Sequence, residues 1–325
     1  MPREFVFNSA IGSKIRGFIN EKQSMGYKYF NESKWMEKFD CYWNDHGYGD
    51  TGLTAENLEE WLQKRDCEGA KCTTTRISVI REFSLYLNGL GIYSCYPSID
   101  IRYNKPPVHV FTNDEIKAVF REIDQYTPRT KTKDTMRLAN EYPVLYRLIY
   151  CEGLRNSEAS QLPTGNVDLK TGAITILDGK NNKDRIVYLS QDLLTLCRDY
   201  FQYLCGVLGY EPEWFFPGVD PQKAVSTGTV STRFRESWKK TPYAENCLVD
   251  PCVHSLRHTM ITKRINLWFR QGISFDQMLP YLCKFLGHKS FQDTFYYFHY
   301  VEETARIVKE KDTTIGRVIP EVIRR

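Results

Sequence analysis

The residues best suited to chemistry fall in five short motifs between residues 153 and 297. In order these are G-L-R-N-S-E, a Gly-Lys step between two apolar strands, H-S-L-R, L-G-H, and a tyrosine nine residues after that histidine. Each motif contributes at least one side chain that can bind an anion, move a proton or act as a nucleophile. The candidate catalytic residues are Arg155, Lys180, His254, Arg257, His288 and Tyr297, and Glu158 is the carboxylate of the first motif.

Two arginines and a tyrosine suit reversible cleavage of a phosphodiester. The planar guanidiniums of Arg155 and Arg257 can bind non-bridging phosphate oxygens in pairs and stabilise the charge of a transition state. A tyrosine has an ordinary pKa of about 10, so Tyr297 needs a nearby base and cations before it can attack. This set predicts a phosphoryl-transfer site.

The remaining candidates handle protons. His254 is the candidate proton shuttle for the tyrosine, and His288 can donate a hydrogen bond to the phosphate. Lys180 can protonate the departing 5′ oxygen if desolvation lowers its pKa. Lys183 is the rival for that role, because it follows in the same polar tip.

Each motif taken alone also has an ordinary structural interpretation. A lone helical histidine is usually structural, and Arg155 could be a surface charge at a helix start. The cluster of Tyr296, Tyr297 and Tyr300 could be aromatic packing. A lysine at a hairpin tip usually protects the edge of a sheet. The order and spacing of the motifs favour a site more than any one of them does.

The first hundred residues are predicted to form a four-helix bundle. Apolar residues recur at helical spacing in four stretches, beginning near Ile11, Trp35, Leu58 and Ile77. Thr54 predicts the start of the third helix, with Asn57 where glutamate would cap better. The bundle is assigned to residues 1–105.

A second domain is predicted after a Pro-containing linker at residues 106–110. Pro106-Pro107 favours extended backbone, and a capping box of Thr112 and Glu115 restarts a helix. Within residues 111–325 the pattern is mostly helical, except for two apolar strands around a polar tip in G-A-I-T-I-L-D-G-K-N-N-K-D-R-I-V-Y-L-S. The predicted fold class is mostly α (α+β), with one small antiparallel sheet.

Composition excludes several classes. Hydrophobic residues make up 42% and charged residues 26%, as in soluble globular proteins. Without an apolar leader or an 18-residue apolar run, we expect a cytoplasmic protein. The ten cysteines contain no C-x-x-C, so we expect reduced thiols, with zinc binding as the minor alternative. The net charge of +4 is too small to predict a partner.

The five motifs in this order resemble the tyrosine recombinase family, the phage integrases and their relatives. The resemblance covers roughly residues 111–310 and is that of the two-domain form without an arm-binding domain. It implies that Tyr297 forms a covalent 3′-phosphotyrosyl bond with DNA and that neither metal nor other cofactor is needed. Two residues depart from the family pattern, Phe298 after the nucleophile and Tyr188 in the second strand.

The resemblance also implies partners. We expect a double-stranded DNA recombination site, a helical DNA-clamping domain at residues 1–105, and a tetramer on two duplexes. The C-terminal apolar segment Val318–Ile323 is expected to dock on a neighbouring protomer, or else to dock on its own chain or fray. The candidate DNA-contacting residues are Lys14, Arg16, Lys71, Arg76, Arg81 and Lys183. A solvated helix face is the alternative for the five in the first domain, and a solvated edge charge is the alternative for Lys183.

The function implied is site-specific recombination, for integration, excision or transposition of a mobile element. If the host is bacterial, we expect nucleoid association. Three alternatives stay open: a chromosome-dimer-type resolvase, a topoisomerase of the same chemical class, and a catalytically silent DNA-binding protein of the same fold. The complete set of catalytic residue types argues against the last of these.

Overall fold

The chain divides into two units, Met1–Lys105 and Pro106–Arg325. The structure is a computed structural model. It describes residues 5–98, 108–179, 183–288, 290–295 and 297.

The first unit is a four-helix bundle, as the apolar spacing predicts. The helices bury their apolar faces in one shared core, and aromatic rings fill much of it, including those of Phe18, Phe39 and Phe83. The helices are α1 (Gly12–Ser24), α2 (Phe30–Asp45), α3 (Ala55–Leu62) and α4 (Ala70–Gly89).

Local signals fix the ends of these helices. The Thr54 side chain accepts from the Asn57 backbone N–H at 3.2 Å, and the Asn57 amide oxygen accepts from the Thr54 N–H at 2.8 Å. Asparagine therefore completes the capping box at the position where glutamate is more usual. Helix α4 ends at Gly89, one residue after Asn88. The Asn88 side-chain amide donates to the Ser94 carbonyl and accepts from the Ser94 backbone N–H.

The described part of the second unit is mostly helical. Its first helix begins with the predicted capping box, since Thr112 and Glu115 make both reciprocal bonds. The helices are α5 (Asn113–Asp124), α6 (Lys133–Cys151), α7 (Asn156–Ser160), α8 (Gln191–Leu208), α9 (Thr227–Lys239), α10 (Val253–Arg270), α11 (Phe275–Leu286) and α12 (Phe291–Phe295).

A three-stranded antiparallel sheet interrupts the helices. The order is β1 (Val167–Asp168), β2 (Ala173–Gly179) and β3 (Lys183–Tyr188). The β2–β3 hairpin confirms the predicted pair of apolar strands, and β1 adds a short third strand. In β3 the side chains of Arg185 and Val187 are buried while their neighbours are exposed, so an arginine points into the protein.

Two apolar clusters support the second unit. The larger one contains residues of α6, α8, α9 and the sheet, and in it α6 packs against α8. The smaller one joins α10 and α11 to Tyr297, through residues that include Met260 and Leu286. This second cluster places the tyrosine beside the helix that carries the H-S-L-R motif. Within the described ranges, no helix is long and apolar enough to cross a bilayer.

Candidate active site

The turn after α6 positions Arg155. Gly153 adopts φ +59°, a left-handed conformation that favours glycine, whereas the Met260 terminal methyl, 2.2 Å from where a Cβ would lie, belongs to a flexible side chain that can move; the backbone, more than packing, requires glycine. The chain then buries Leu154 completely and places Arg155 at the N-cap of α7. In the G-L-R motif, the glycine follows the end of α6, the leucine fixes the turn in the core, and the arginine is the candidate catalytic side chain.

Glu158 holds two guanidiniums at once. Its carboxylate accepts from the backbone N–H of Arg155 at 2.8 Å and from the Arg155 guanidinium. The Arg185 guanidinium donates to both carboxylate oxygens, at 3.0 and 2.7 Å. Burial acts to raise the pKa of Glu158, but the hydrogen bonds and charges of the two arginines outweigh it and lower the pKa to about 2. Glu158 is therefore a charged brace for Arg155.

Arg185 is a site residue that the sequence analysis missed. It is only 6% exposed, and its guanidinium lies under Gly287, where a Cβ would meet the Arg185 Nη1 at 3.1 Å. It thus links β3 to α7 and to the L-G-H turn. One signal could have found it: in the alternating pattern of β3, Arg185 shares the inward face with Val187, and an inward arginine needs a buried acid.

Arg257 lies at the centre of the site and is 1% exposed. Its guanidinium donates to the backbone oxygens of Gly153 and Leu286, the latter at 2.7 Å. It also contacts the His288 Nε2 at 3.1 Å and the Tyr297 hydroxyl. Its Nε has no partner among the described residues. Burial lowers the pKa of Arg257 to about 10, so the group keeps its charge at neutral pH.

His288 follows the glycine that ends α11. Gly287 adopts φ +64°, and its carbonyl accepts from the Arg155 guanidinium at 3.2 Å. Burial first, and then the charges of Arg257 and Arg155, lower the pKa of His288 to about 4. The imidazole is therefore neutral at physiological pH.

Tyr297 is packed inside the site of its own chain. Its ring is 3% exposed and lies parallel to the His288 ring, with centroids 6.1 Å apart. Burial raises the pKa of Tyr297, while the Arg257 charge and hydrogen bond act to lower it. The phenol is protonated at neutral pH, so attack requires a base that removes the proton.

Two histidines of α10 have imidazole rings near Tyr297. His254, the predicted proton shuttle, is exposed, and its ring centroid lies 4.5 Å from that of His258. The His258 ring lies 5.1 Å from the Tyr297 ring, and burial lowers the pKa of His258 to about 3. His258 is a neutral spacer between His254 and the phenol, and the sequence analysis did not single it out.

The two hairpin lysines are not placed by the structure. Lys180 lies outside the described residues, as do Phe298 and Val318–Ile323. Lys183 opens β3, but its side chain is not described. The lysine assignment therefore stays a prediction.

The first-unit candidates for DNA contact differ in availability. Arg16 and Lys71 are exposed. Lys14 forms an ion pair with Asp50. Arg81 donates to the Tyr96 hydroxyl, with its guanidinium 4.3 Å from that ring's centroid.

Arg76 has a structural position. It is fully buried, donates to both oxygens of Glu68 and to the backbone oxygen of Gln63 at 2.9 Å, and lies over the Trp61 ring. A guanidinium held in this way cannot reach a phosphate. The prediction that Arg76 contacts DNA does not fit this placement. Helix periodicity alone does not indicate that Arg76 is buried, because its acidic partner Glu68 precedes α4.

The described site thus brings together Arg155, Glu158, Arg257, His288 and Tyr297, which lie far apart in sequence. Cations, a neutral imidazole and a buried phenol are grouped as transfer of a phosphoryl group to tyrosine requires. A mostly helical domain with a small sheet and this site defines an enzyme of the tyrosine recombinase class.

The chain belongs to the phage integrase family, whose sequence pattern matches residues 109–303. Members of this family break and rejoin DNA. Among curated proteins, the tyrosine recombinase XerD of Rhizobium meliloti is 26% identical over 271 residues, covering 82% of this chain and 83% of XerD.

Solved structures show the same fold. The Tn1549 transposon integrase in complex with transposon right end DNA has a TM-score of 0.61 at 13% identity, covering 92% of this chain and 99% of that one. The XerH recombinase bound to palindromic difH substrate has a TM-score of 0.60 at 18% identity, covering 87% and 78%.

Proposed function

We propose that this protein is a site-specific DNA recombinase that uses Tyr297 to form a covalent 3′-phosphotyrosyl intermediate. One observation carries the proposal: the Tyr297 hydroxyl is hydrogen-bonded to the buried Arg257 guanidinium, inside the site of the same chain. A tyrosine serving only as packing has no need of a buried cation at its hydroxyl. The nucleophile and the clamp then act in cis.

In the cleavage step the Tyr297 oxygen attacks phosphorus and the bond to the 5′ oxygen breaks. His254 takes the phenol proton, since it is the exposed imidazole beside His258, whose ring lies tilted against that of Tyr297. Lys180 gives a proton to the departing 5′ oxygen. One phosphoester bond forms as one breaks, so the energy of the bond is kept.

In the rejoining step a 5′ hydroxyl from the partner strand attacks the phosphotyrosine. The proton movements reverse, and the Tyr297 phenol is restored. Arg155 and Arg257 hold the non-bridging oxygens through both steps. Arg155 is the more accessible of the two, with its side chain 18% exposed, and Glu158 fixes its direction.

Mobile DNA is the proposed substrate class. The family match and the fold shared with a transposon integrase bound to transposon-end DNA support integration, excision or transposition. The second candidate is chromosome-dimer-type resolution, which the XerD relative favours over most of the chain. Both need self-association, and we propose a tetramer on two duplexes.

Covalent trapping tests the proposal and finds the DNA site in one experiment. The full chain is incubated with sheared DNA from its host, protein–DNA adducts are recovered under denaturing conditions, and the attached DNA is sequenced. A nicked suicide duplex built from the recovered sequence should then give a covalent band. Sites flanking a mobile element support the first candidate, and a single chromosomal site supports the second.

The neighbouring tyrosines provide the matched controls. Tyr297→Phe should abolish the band, while Tyr296→Phe and Tyr300→Phe should leave it. Trapping by Tyr297→Phe, or its loss in either control, contradicts the assignment of the nucleophile.

A further inference from the structure

His288 lies between two partners, and one of them has a fixed polarity. Its Nε2 is 3.1 Å from the Arg257 Nη2, and its Nδ1 is 2.7 Å from the Thr294 Oγ1. A guanidinium only donates hydrogen bonds, so Nε2 must accept. The imidazole is neutral, so its one proton lies on Nδ1 and is donated to Thr294.

This tautomer conflicts with the role that the proposed function gives His288. Donating a hydrogen bond to a phosphate through Nε2 requires the proton on Nε2. Nδ1 then becomes an acceptor facing the fully buried Thr294 and needs a donor, because an unmatched buried polar atom costs about 1–3 kcal/mol. The residue facing Nδ1 must therefore be able to accept in one state and donate in the other.

Thr294 meets that need together with Cys283. Thr294 is fully buried, and its Oγ1 lies 3.0 Å from the Cys283 Sγ, which is also buried. When Thr294 accepts from His288, its own hydroxyl proton points to the sulfur. When Thr294 donates to His288, its oxygen accepts from the thiol, which burial keeps protonated by raising the Cys283 pKa. The pair is satisfied in both arrangements.

We propose that Thr294 is a positioning residue that lets His288 exchange between its two neutral tautomers, Nδ1–H without DNA and Nε2–H on the scissile phosphate. The proposal rests on the proposed function for its second state only. During the exchange one proton leaves Nδ1 to solvent and one is taken up at Nε2, so the ring stays neutral. The Thr294 and Cys283 hydrogens only rotate.

The placement of Thr294 gives the exchange a further consequence. Thr294 lies on α12, three residues before Tyr297. Its bond to His288 therefore also ties the nucleophile's segment to the L-G-H turn. Both residues act on one phosphate, so a single hydroxyl can align them.

The tautomer is read directly by nitrogen NMR of the full chain labelled at histidine. The His288 signals are assigned by their loss in His288→Gln. Without DNA, the wild type should show a protonated Nδ1 and a bare Nε2. A wild-type spectrum with the proton on Nε2 overturns the proposal, whether or not the protein recombines DNA.

The bound state is read on Tyr297→Phe with an uncleaved duplex carrying the trapped site. Nε2 should then be protonated. If Nδ1 stays protonated when DNA binds, there is no exchange and the proposal is wrong. Because the DNA-free spectrum needs no substrate, failure of this proposal and failure of the recombinase assignment are distinguishable.

Two substitutions separate the hydroxyl from packing. Thr294→Val keeps the shape but removes the hydroxyl, and it should slow single-turnover cleavage by about 10–100-fold at unchanged DNA affinity. Thr294→Ser restores the hydroxyl and should restore most of the rate. Equal rates in Thr294→Val and wild type, or equally slow rates in both variants, overturn the proposal. Thermal unfolding shows whether each variant is folded, and the wild-type spectra test the proposal independently of both.

Discussion

At the residue scale, one carboxylate offsets part of the positive charge of the site. Arg155, Arg185 and Arg257 bring three guanidiniums to the pocket, and Glu158 pairs with two of them. Buried like charges repel, and an unpaired buried charge costs several kcal/mol. Glu158 thus makes it possible to hold a cation cluster ready for a phosphate before DNA arrives.

The charge of Glu158 predicts a pH-dependent stability. Its pKa falls from the ordinary 4.5 to about 2 on folding, so its stabilisation is present above pH 4.5 and is lost as pH falls towards 2. The shift corresponds to about 3 kcal/mol. Chemical unfolding of the full chain should show Glu158→Gln less stable than wild type at pH 7, with the gap closing between pH 5 and 2.

An exposed glutamate of the same unit serves as the control. Glu245→Gln should match wild type at every pH, because Glu245 is exposed. A gap for Glu158→Gln that stays constant as pH falls would show that the charge of Glu158 does not stabilise the fold.

Arg185 is predicted to be essential for the alignment of Arg155. Arg185→Ala leaves the Glu158 carboxylate buried with one partner, which costs about 3–5 kcal/mol. Arg185→Lys keeps the charge but lacks the planar fork that pairs with both oxygens, so its loss of stability should be smaller while cleavage still slows. Unfolding and single-turnover cleavage measure the two effects. Ile186→Ala, at the next and exposed position of β3, should change neither.

At the element scale, the site is made from helix ends. The carbonyls that Arg257 binds belong to the turn after α6 and to the last residue of α11. Helix C-termini carry partial negative charge and unpaired carbonyls, so they stabilise a cation. Arg257 thereby fixes the C-terminal ends of two helices to α10. The glycines that follow these two helices set the positions of Arg155 and His288.

Gly287 tests this arrangement against a matched glycine. Gly287 and Gly272 both follow a helix with φ near +65°, at +64° and +70°. Alanine in this region costs about 1–2 kcal/mol at either site. Only at Gly287 does a Cβ press on Arg185, whereas the described residues leave the space at Gly272 open. Both variants should lose similar stability, and only Gly287→Ala should slow cleavage, by at least about tenfold.

Equal cleavage rates in the two alanine variants would contradict this role for Gly287. Equal slowing would instead show that helix-end strain alone controls the site. Both comparisons use single-turnover rates on the same suicide duplex.

The same elements show what sequence can and cannot predict. That Arg257 and Tyr297 lie in one pocket could be predicted, because their residue types and spacing point to a shared site. For Arg185 the sequence indicates only an inward-facing arginine of β3, because its acidic partner Glu158 lies 27 residues away in another element. The burial of Arg76 could not be predicted either, because its partner Glu68 lies before the helix that carries it. The two-residue strand β1 is too short for a periodic pattern.

At the scale of the whole molecule, each unit has its own core and its own ion pairs. The first unit can act as a helical DNA clamp only if its exposed cationic side chains reach DNA. Since Arg76 is buried and Lys14 is paired, Arg16 and Lys71 are the best candidates for phosphate contacts, because both are exposed. Phosphate contacts of this kind supply affinity without sequence information.

The double variant Arg16→Ala, Lys71→Ala tests that role. Each lost phosphate contact should lower the slope of log affinity against log salt by about 0.9. The pair should therefore weaken DNA binding most at low salt and reduce the slope by nearly two, without changing the cleavage rate at saturating DNA. Fluorescence anisotropy over a salt series measures the slope, and single-turnover cleavage measures the rate. An unchanged slope would place the DNA on another face of the bundle, whereas a slower rate at saturation would mean that the first unit also shapes the active site.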